Sequence, residues 1–391
     1  NNVRAYSLLM ALTGNVDNVG GSSFDDWPKD YIRWDEGYTR TFIDQQWFNQ
    51  PEQKAKRIDR EFAPIWNEMQ VLCSPNALPE MVKAGRIKAF AGFGANLLIW
   101  PDPAEYQEAV RNLDFSFATD YFYRDETHHD MDLVLPAAMN YERYAPFGVH
   151  GRKVSARKPV KPLGECWEDW KIALTIGAAV TGDSDRFFGG DPVKACDSML
   201  NDWGTSYAER QAMLPNVNVC EWFPAPQKEK FAKGLLPGFR TPSGKIEFFS
   251  SIQAKHGQPG LPVYVEPPKP TKDYPLKLIN GTRRPYITHS KTRGDQPYLL
   301  ELEPESVINM HPKDAQDRGL KEGDRVWMIS PYAATKVRAR VRVTILCQPG
   351  MVDAQYGWRG DQETQVMIPR KNWDPISGYP CCNDVCIEVV K

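Results

Sequence analysis

The apolar pattern changes its period at one proline-rich stretch, "VYVEPPKPTKDYP". Ahead of it, short continuous apolar runs alternate with segments of helical spacing. Tyr6, Leu9, Met10 and Thr13 recur at helical intervals and stop at Gly14–Asn15, which predicts a helix already under way at the first residues. Ile87 to Phe93 predicts a buried strand, with Gly92, Gly94 and Asn96 in the turn leaving it. "PAEYQEAVRNL" predicts a helix beginning after Pro103. "DFSFATD" predicts a second strand, ending at Asp120, and "MDLVLPAA" is a third apolar piece. Strand, helix, strand at these lengths predicts a parallel sheet of α/β type, whose ligands bind beyond the carboxyl ends of the strands. Gly94–Asn96 and Thr119–Asp120 lie at such ends.

"WEDWKIALTIGAAVTG" predicts an amphipathic helix with Asp169 near its start. Residues from about Phe187 to Trp222 read as a helical, polar, peripheral piece. The proline-rich connector marks the clearest boundary. Beyond it the period falls to two. Val326 and Met328 alternate in one strand, and Val337, Ala339, Val341 and Val343 alternate inward against outward Arg338, Arg340 and Arg342 in another. With "PESVINM", a short helix led by Pro312, and "PGMVDAQYGW", this predicts a compact β-barrel. The expected division is 1–186, an α/β domain; 187–272, a peripheral segment and linker; and 273–391, the barrel.

Composition removes several alternatives. A chain of 391 residues has room for two or three domains, and 41% hydrophobic with 25% charged residues is ordinary for a globular protein. A net charge of −2 and a pI near 6.4 give no global basic field for nucleic acid or a membrane surface. No run approaches the length of a transmembrane helix. The chain opens "NNVRAYSLLMALTGN", with no initiator Met and no signal region, so it is expected to be the later part of a larger protein. A processed mature chain is the alternative. None of the eight cysteines forms a Cys-x-x-Cys pair, so neither a zinc ribbon nor an iron–sulfur spacing is present. In "CCNDVC", adjacent cysteines share one metal poorly and Cys386 falls in the apolar run "VCIEVV". Packing is the expectation there.

One stretch concentrates donors: "LKLINGTRRPYITHSKTR", Leu276 to Arg293. An apolar strand breaks at Asn280–Gly281, and arginines, a lysine, a histidine and hydroxyl residues follow at once. Such a set suits an anion large enough to need several contacts. A solvated basic turn is the plainer alternative.

Eight blocks in order carry a resemblance: "LLMALTGNVDNVGG", "IKAFAGFGANLL", "FSFATDYFYRDETHHDMDLVLPAAMNYER", "GECWEDW", "GFRTPSGKIEFFS", "LINGTRRPYITHSKTR", "VINMHPKDAQDRGLKEGDRVWMIS" and "DPISGYP". Together they make the chain resemble the later part of the dimethyl sulfoxide reductase family. These are molybdenum or tungsten enzymes that carry a bis(pyranopterin guanine dinucleotide) cofactor, also written bis(molybdopterin guanine dinucleotide). The resemblance implies a partial α/β domain, discontinuous in the full protein, followed by a C-terminal double-psi-type β-barrel. It places Thr282, Arg283, His289 and Ser290 against the pterin and its pyrophosphate, with Lys291 and Arg293 as further candidates. It implies that Asn96 reaches the cofactor, that Thr119 and Asp120 take the guanosine, that Arg143 lies near the nucleotide and that Asp169 reads guanine. Each has a plainer alternative: Asn96 as a turn cap, Asp120 as a helix cap, Asp169 as a helix-start charge.

Two departures stand out. Asn383 occupies a position where the family often has lysine, which keeps a hydrogen bond and loses a charge. The usual asparagine before "DPISGYP" is missing, with Gln365 and Asn372 nearby instead. Asp132 is expected to be structural. The pair His128–His129 replaces smaller residues.

In the family the metal's protein ligand and any [4Fe-4S] cluster lie upstream, so no residue here is expected to be the metal ligand, and the catalytic residues stay unassigned. Expected partners are a small-molecule substrate, the remaining N-terminal part of the enzyme and an iron–sulfur electron-transfer subunit. Trp27, Trp34, Tyr38 and Trp47 suit either a substrate funnel or plain packing. Competing functions are a non-redox member of hydratase or transhydroxylase type and a non-catalytic cofactor-binding subunit. An unrelated α/β hydrolase or NAD enzyme would need a Gly-x-Ser-x-Gly, Walker or full Gly-x-Gly-x-x-Gly motif, which the chain lacks.

Overall fold

A computed structural model of the protein describes residues 1–16, 50–69, 73–145, 148–150, 153–201, 205–212, 220–221, 241, 243–280, 296–383 and 385–391. The first helix, α1 (Asn2–Leu12), ends before Gly14, whose φ of 71° is left-handed. Its apolar positions are not buried: Tyr6 and Leu9 are both exposed.

A three-stranded sheet holds β1 (Ala89–Phe93), β2 (Phe115–Asp120) and β3 (Leu133–Pro136) in that order. Strands β1 and β2 are parallel, with Ala89 opposite Phe115 and Phe93 opposite Thr119. From Ser116 to Asp120 every residue of β2 is buried, as a covered parallel strand requires. Gly92, expected in the turn, is instead part of β1. Helices α2 (Leu78–Lys83) and α3 (Pro103–Arg111) cover the sheet's core. Pro103 opens α3, Glu105 sits in its first turn and Arg111 in its last, each favourable for the helix dipole or its first free amides. Tyr106, Ala109 and Val110 form its buried stripe. Asp102, just ahead, has φ 49°, a strained value for a non-glycine residue. Its N–H donates to Gln365 O at 3.1 Å, a tie that offsets the strain.

The short helix α4 (Asp125–His128) follows β2. Antiparallel strands β4 (Gly148–His150), β5 (Lys153–Ser155) and β6 (Cys220–Glu221) form a second small sheet. Helix α5 (Asp169–Thr181) closes on Gly182 at φ 71°, and α6 (Pro192–Asn201) comes next.

The remaining strands make a closed barrel: β7 (Leu276–Asn280), β8 (Val307–Met310), β9 (Arg325–Ile329), β10 (Val337–Val343), β11 (Met351–Ala354) and β12 (Val385–Val390). They close in the order β10-β8-β11-β7-β12-β9, with β10 parallel to β8 and β11 parallel to β7. The period-two pattern is realised: Val337, Ala339 and Val341 are buried while Arg338, Arg340 and Arg342 face outward. Leu278, Ile308, Met310, Met328, Val352 and Ile387 are fully enclosed in the core. Each contributes about 1.5–3 kcal/mol relative to exposure. Cys386 is buried in β12, as packing predicts.

The described chain forms two compact units, each built from two stretches: Asn1–Lys56 with Leu135–Tyr264, and Arg57–Val134 with Val265–Lys391. The cut at Tyr264 falls in the proline-rich connector. The second unit therefore contains both the β1–β2 region and the barrel. Arg370, 2% exposed, locks these two parts. Its Nη1 donates to Glu80 Oε2 at 2.7 Å and to Asn76 O at 2.9 Å, and its Nε to Glu105 Oε2 at 2.6 Å. Asn76 adds a bond to Gly378 O at 3.3 Å and accepts from the Tyr106 hydroxyl at 2.5 Å.

Candidate functional site

The carboxyl ends of β1 and β2 gather three of the expected residues. Gly94 turns with φ 60°, and its N–H donates to Thr119 O at 2.9 Å, tying the two strand ends together. Asn96, buried, accepts the Leu98 N–H at 3.2 Å and so caps the short turn Leu97–Ile99. Thr119 and Asp120 are buried at the last positions of β2.

Asp120 is held on several sides. Its Oδ1 accepts the Tyr121 N–H at 2.7 Å and its Oδ2 accepts from Arg124 Nη1 at 2.8 Å. His128 Nδ1 accepts the Arg124 N–H at 3.0 Å, and its Nε2 lies 3.6 Å from Asp120 Oδ2. This accounts for the histidine pair: α4 turns His128 inward, whereas His129 is exposed beside Asp130. Neither Arg124 nor His128 was expected at the site. The signal was there, since Asp120, Arg124 and His128 recur every four residues.

Arg143 and Asp169 belong to the other unit. Arg143 Nη2 donates to Asn140 Oδ1, which also accepts from Arg157 Nη1 at 3.0 Å. Arg143 Nε is buried with no hydrogen-bond partner among the described residues. An orphaned charged donor is costly, and a ligand acceptor would relieve it. Asp169 begins α5. Its neighbour Glu168 is the more buried of the two acids in "WEDW", and its Oε2 accepts the Ala145 N–H at 2.8 Å. Burial pushes the Glu168 carboxyl above its usual range, against the opposing pull of the Ala145 and Tyr144 amides. Lys171 Nζ stands 3.9 Å over the Trp167 ring, beside a cleft of about 590 Å³.

The other candidates separate. Thr282, Arg283, His289, Ser290, Lys291 and Arg293 lie outside the described residues, as do Trp27, Trp34, Tyr38 and Trp47. Asn280, the last residue of β7, is described. Its Nδ2 donates to Gln365 Oε1 at 2.6 Å and its Oδ1 accepts from Thr364 Oγ1 at 3.0 Å. Gln365 also donates to Ile99 O, so it braces the strand end. Asn372 is exposed and Asn383 is exposed. Asp132 accepts both the Ser116 N–H at 2.6 Å and its hydroxyl at 3.0 Å, a structural role as expected.

A buried amide, hydroxyl and carboxylate at the ends of parallel strands fit the hydroxyls and base N–H groups of a nucleotide. Among the described residues no group of three or more His, Cys, Asp or Glu side chains could hold a metal ion. No described helix is long and apolar enough to cross a membrane.

Comparison with known proteins agrees with this chemistry. Residues 276–386 match the family described as "Molydopterin dinucleotide binding domain", and residues 45–179 match "Molybdopterin oxidoreductase". The chain is 27% identical over 268 residues to acetylene hydratase of Syntrophotalea acetylenica, covering 64% of this chain and 34% of that protein. It is 26% identical over 304 residues to a putative dimethyl sulfoxide reductase of Halobacterium salinarum, in its catalytic chain, covering 69% and 33%. The solved structure of acetylene hydratase from Pelobacter acetylenicus shares the fold with a TM-score of 0.78 at 19% identity, covering 93% of this chain and 55% of that one. The chain thus spans about a third of the length of these two curated relatives. With strand ends suited to a nucleotide and both family matches in place, the chain belongs to the dimethyl sulfoxide reductase family of molybdopterin oxidoreductases.

Proposed function

We infer that this chain forms the later portion of an enzyme that binds bis(molybdopterin guanine dinucleotide) with molybdenum or tungsten. The observation that carries this is the buried set Asn96, Thr119 and Asp120 at the ends of β1 and β2. Asp120 and Thr119 take the guanosine, and Asn96 meets the cofactor from the neighbouring turn. Arg143 and Asp169 are further candidates for the nucleotide, as the family resemblance implies. Thr282, Arg283, His289, Ser290 and Arg293 meet the pterin and pyrophosphate, and Asn383 adds a hydrogen bond.

When bound, the cofactor supplies two-electron or oxygen-atom transfer on a small substrate; the protein supplies orientation and electrostatics. The metal's protein ligand, and a [4Fe-4S] cluster, belong to the N-terminal part of the enzyme. An iron–sulfur electron-transfer subunit is the natural redox partner. The division at 186 and 272, and a double-psi barrel, complete this reading. A second reading, non-redox chemistry of the hydratase type, is favoured by the likeness to acetylene hydratase.

The test is elemental analysis for molybdenum and tungsten on the intact protein, purified with whatever polypeptide accompanies this chain, together with the guanosine monophosphate released on acid hydrolysis. Near-stoichiometric metal with about two guanine nucleotides per metal is expected. Absence of both from an intact preparation sinks the reading and leaves a binding module without chemistry.

A further inference from the structure

We propose that His128 is a positioning residue for Asp120, completing a buried clamp of Asp120, Arg124 and His128 that fixes the carboxylate for the guanosine. The inference rests on the nucleotide-site reading above and deepens it.

The three side chains are 1%, 3% and 0% exposed, so water does not solvate their charges. A lone carboxylate buried there would cost several kcal/mol and would repel a diphosphate. Arg124 Nη1, at 2.8 Å from Oδ2, neutralises it. The histidine contributes direction. Its Nδ1 accepts the Arg124 N–H, so the proton of the neutral ring resides on Nε2. That N–H is 3.6 Å from Asp120 Oδ2, just beyond hydrogen-bond length, and Nε2 has no hydrogen-bond partner among the described residues. A buried donor left unsatisfied is unfavourable, so a small turn of the ring onto Oδ2 is favoured. Arg124 and His128 then address the same oxygen and leave the carboxylate one orientation. His128 thus grips Arg124 through the backbone and Asp120 through the side chain.

Two substitutions divide these functions. His128→Asn places its carbonyl near Nδ1 and keeps the tie to the Arg124 amide, but offers Asp120 no donor. His128→Gln carries its amide N–H groups about as far as Nε2 and keeps the donor, while giving up the backbone tie. The measurement is guanosine monophosphate released per chain from each intact variant after dialysis, with thermal unfolding of the same samples. His128→Asn should melt close to the parent yet lose nucleotide about fivefold, the effect of one net hydrogen bond. His128→Gln should keep the parent's nucleotide at a lower melting temperature. The reverse order overturns the proposal, since His128 would then act only through the backbone. Equal retention, or equal loss, in both variants overturns it too. Asp120→Asn separates the two levels. If it stays fully loaded, the strand-end reading itself fails. If it is empty while the histidine variants fall in the wrong order, only the positioning role is lost.

Discussion

Glu168 and Asp169 show how much one residue's setting decides. Side by side in "WEDW", they are chemically near-equivalent, and the resemblance selected Asp169 as the guanine reader. The structure turns Glu168 inward, where burial raises its pKa above the ordinary 4.5. A carboxyl raised in the folded state makes that state bind more protons than the unfolded chain. The associated stability is fully present below pH 4.5 and is lost as pH rises through the folded value. Glu168→Gln removes this loss while keeping an acceptor for the Ala145 amide. The melting temperature of the variant relative to the parent should therefore climb as pH rises from below 4.5 through the folded-state value and then level off. A difference that stays flat, or falls, contradicts the assignment. The helical pattern marked Asp169 as near a helix start and said nothing of Glu168; which acid is buried depends on the Tyr144–Ala145 backbone, made of residues more than twenty positions earlier, as the separation of 23 shows.

At the scale of elements, charge on the barrel surface and charge inside the second unit behave differently. Arg338 is 29% exposed, with its Nε 2.8 Å from Asp361 Oδ2, and shares Glu305 with Arg325 and Arg340. Salt and side-chain entropy blunt such pairs, so Arg338→Ala should cost under about 1 kcal/mol. Arg370→Ala leaves Glu80 and Glu105 facing a cavity and should cost about 3 kcal/mol, the low end for a broken buried pair. The low end applies because those carboxylates keep 34% and 33% exposure. Urea unfolding of the two variants checks the ranking; equal costs would refute it. Much of this scale was legible beforehand. The alternation in "KVRARVRVTI" specified which face of β10 is buried, because a strand has a period of two and one face must meet the core. The apolar run of β2 and the Pro103 helix start were equally plain. Arg370 was not, because nothing local distinguishes an arginine whose carboxylates lie 265 and 290 residues away from one on a surface turn.

For the whole molecule, the proline-rich connector was visible as a boundary, whereas the pairing of Arg57–Val134 with Val265–Lys391 was not, since long-range packing leaves no periodic trace. Residues 265–391 produced alone should be insoluble or unfolded, because Arg370 and the face around it would lose the Asn76, Glu80 and Glu105 that they pack against. Co-production with 57–134 should restore a soluble complex in gel filtration. A stable, monomeric 265–391 would show that the barrel stands without that lock. The same arrangement sets a schedule for the ribosome. Glu105 emerges 265 residues before Arg370. At about 5–20 residues per second, α2, α3 and β1–β2 wait on the order of tens of seconds for the strands that complete them. During that interval the sheet's apolar side is available to wrong partners, so a chain of this build is more exposed to misassembly during synthesis than one whose neighbours in space are also neighbours in time.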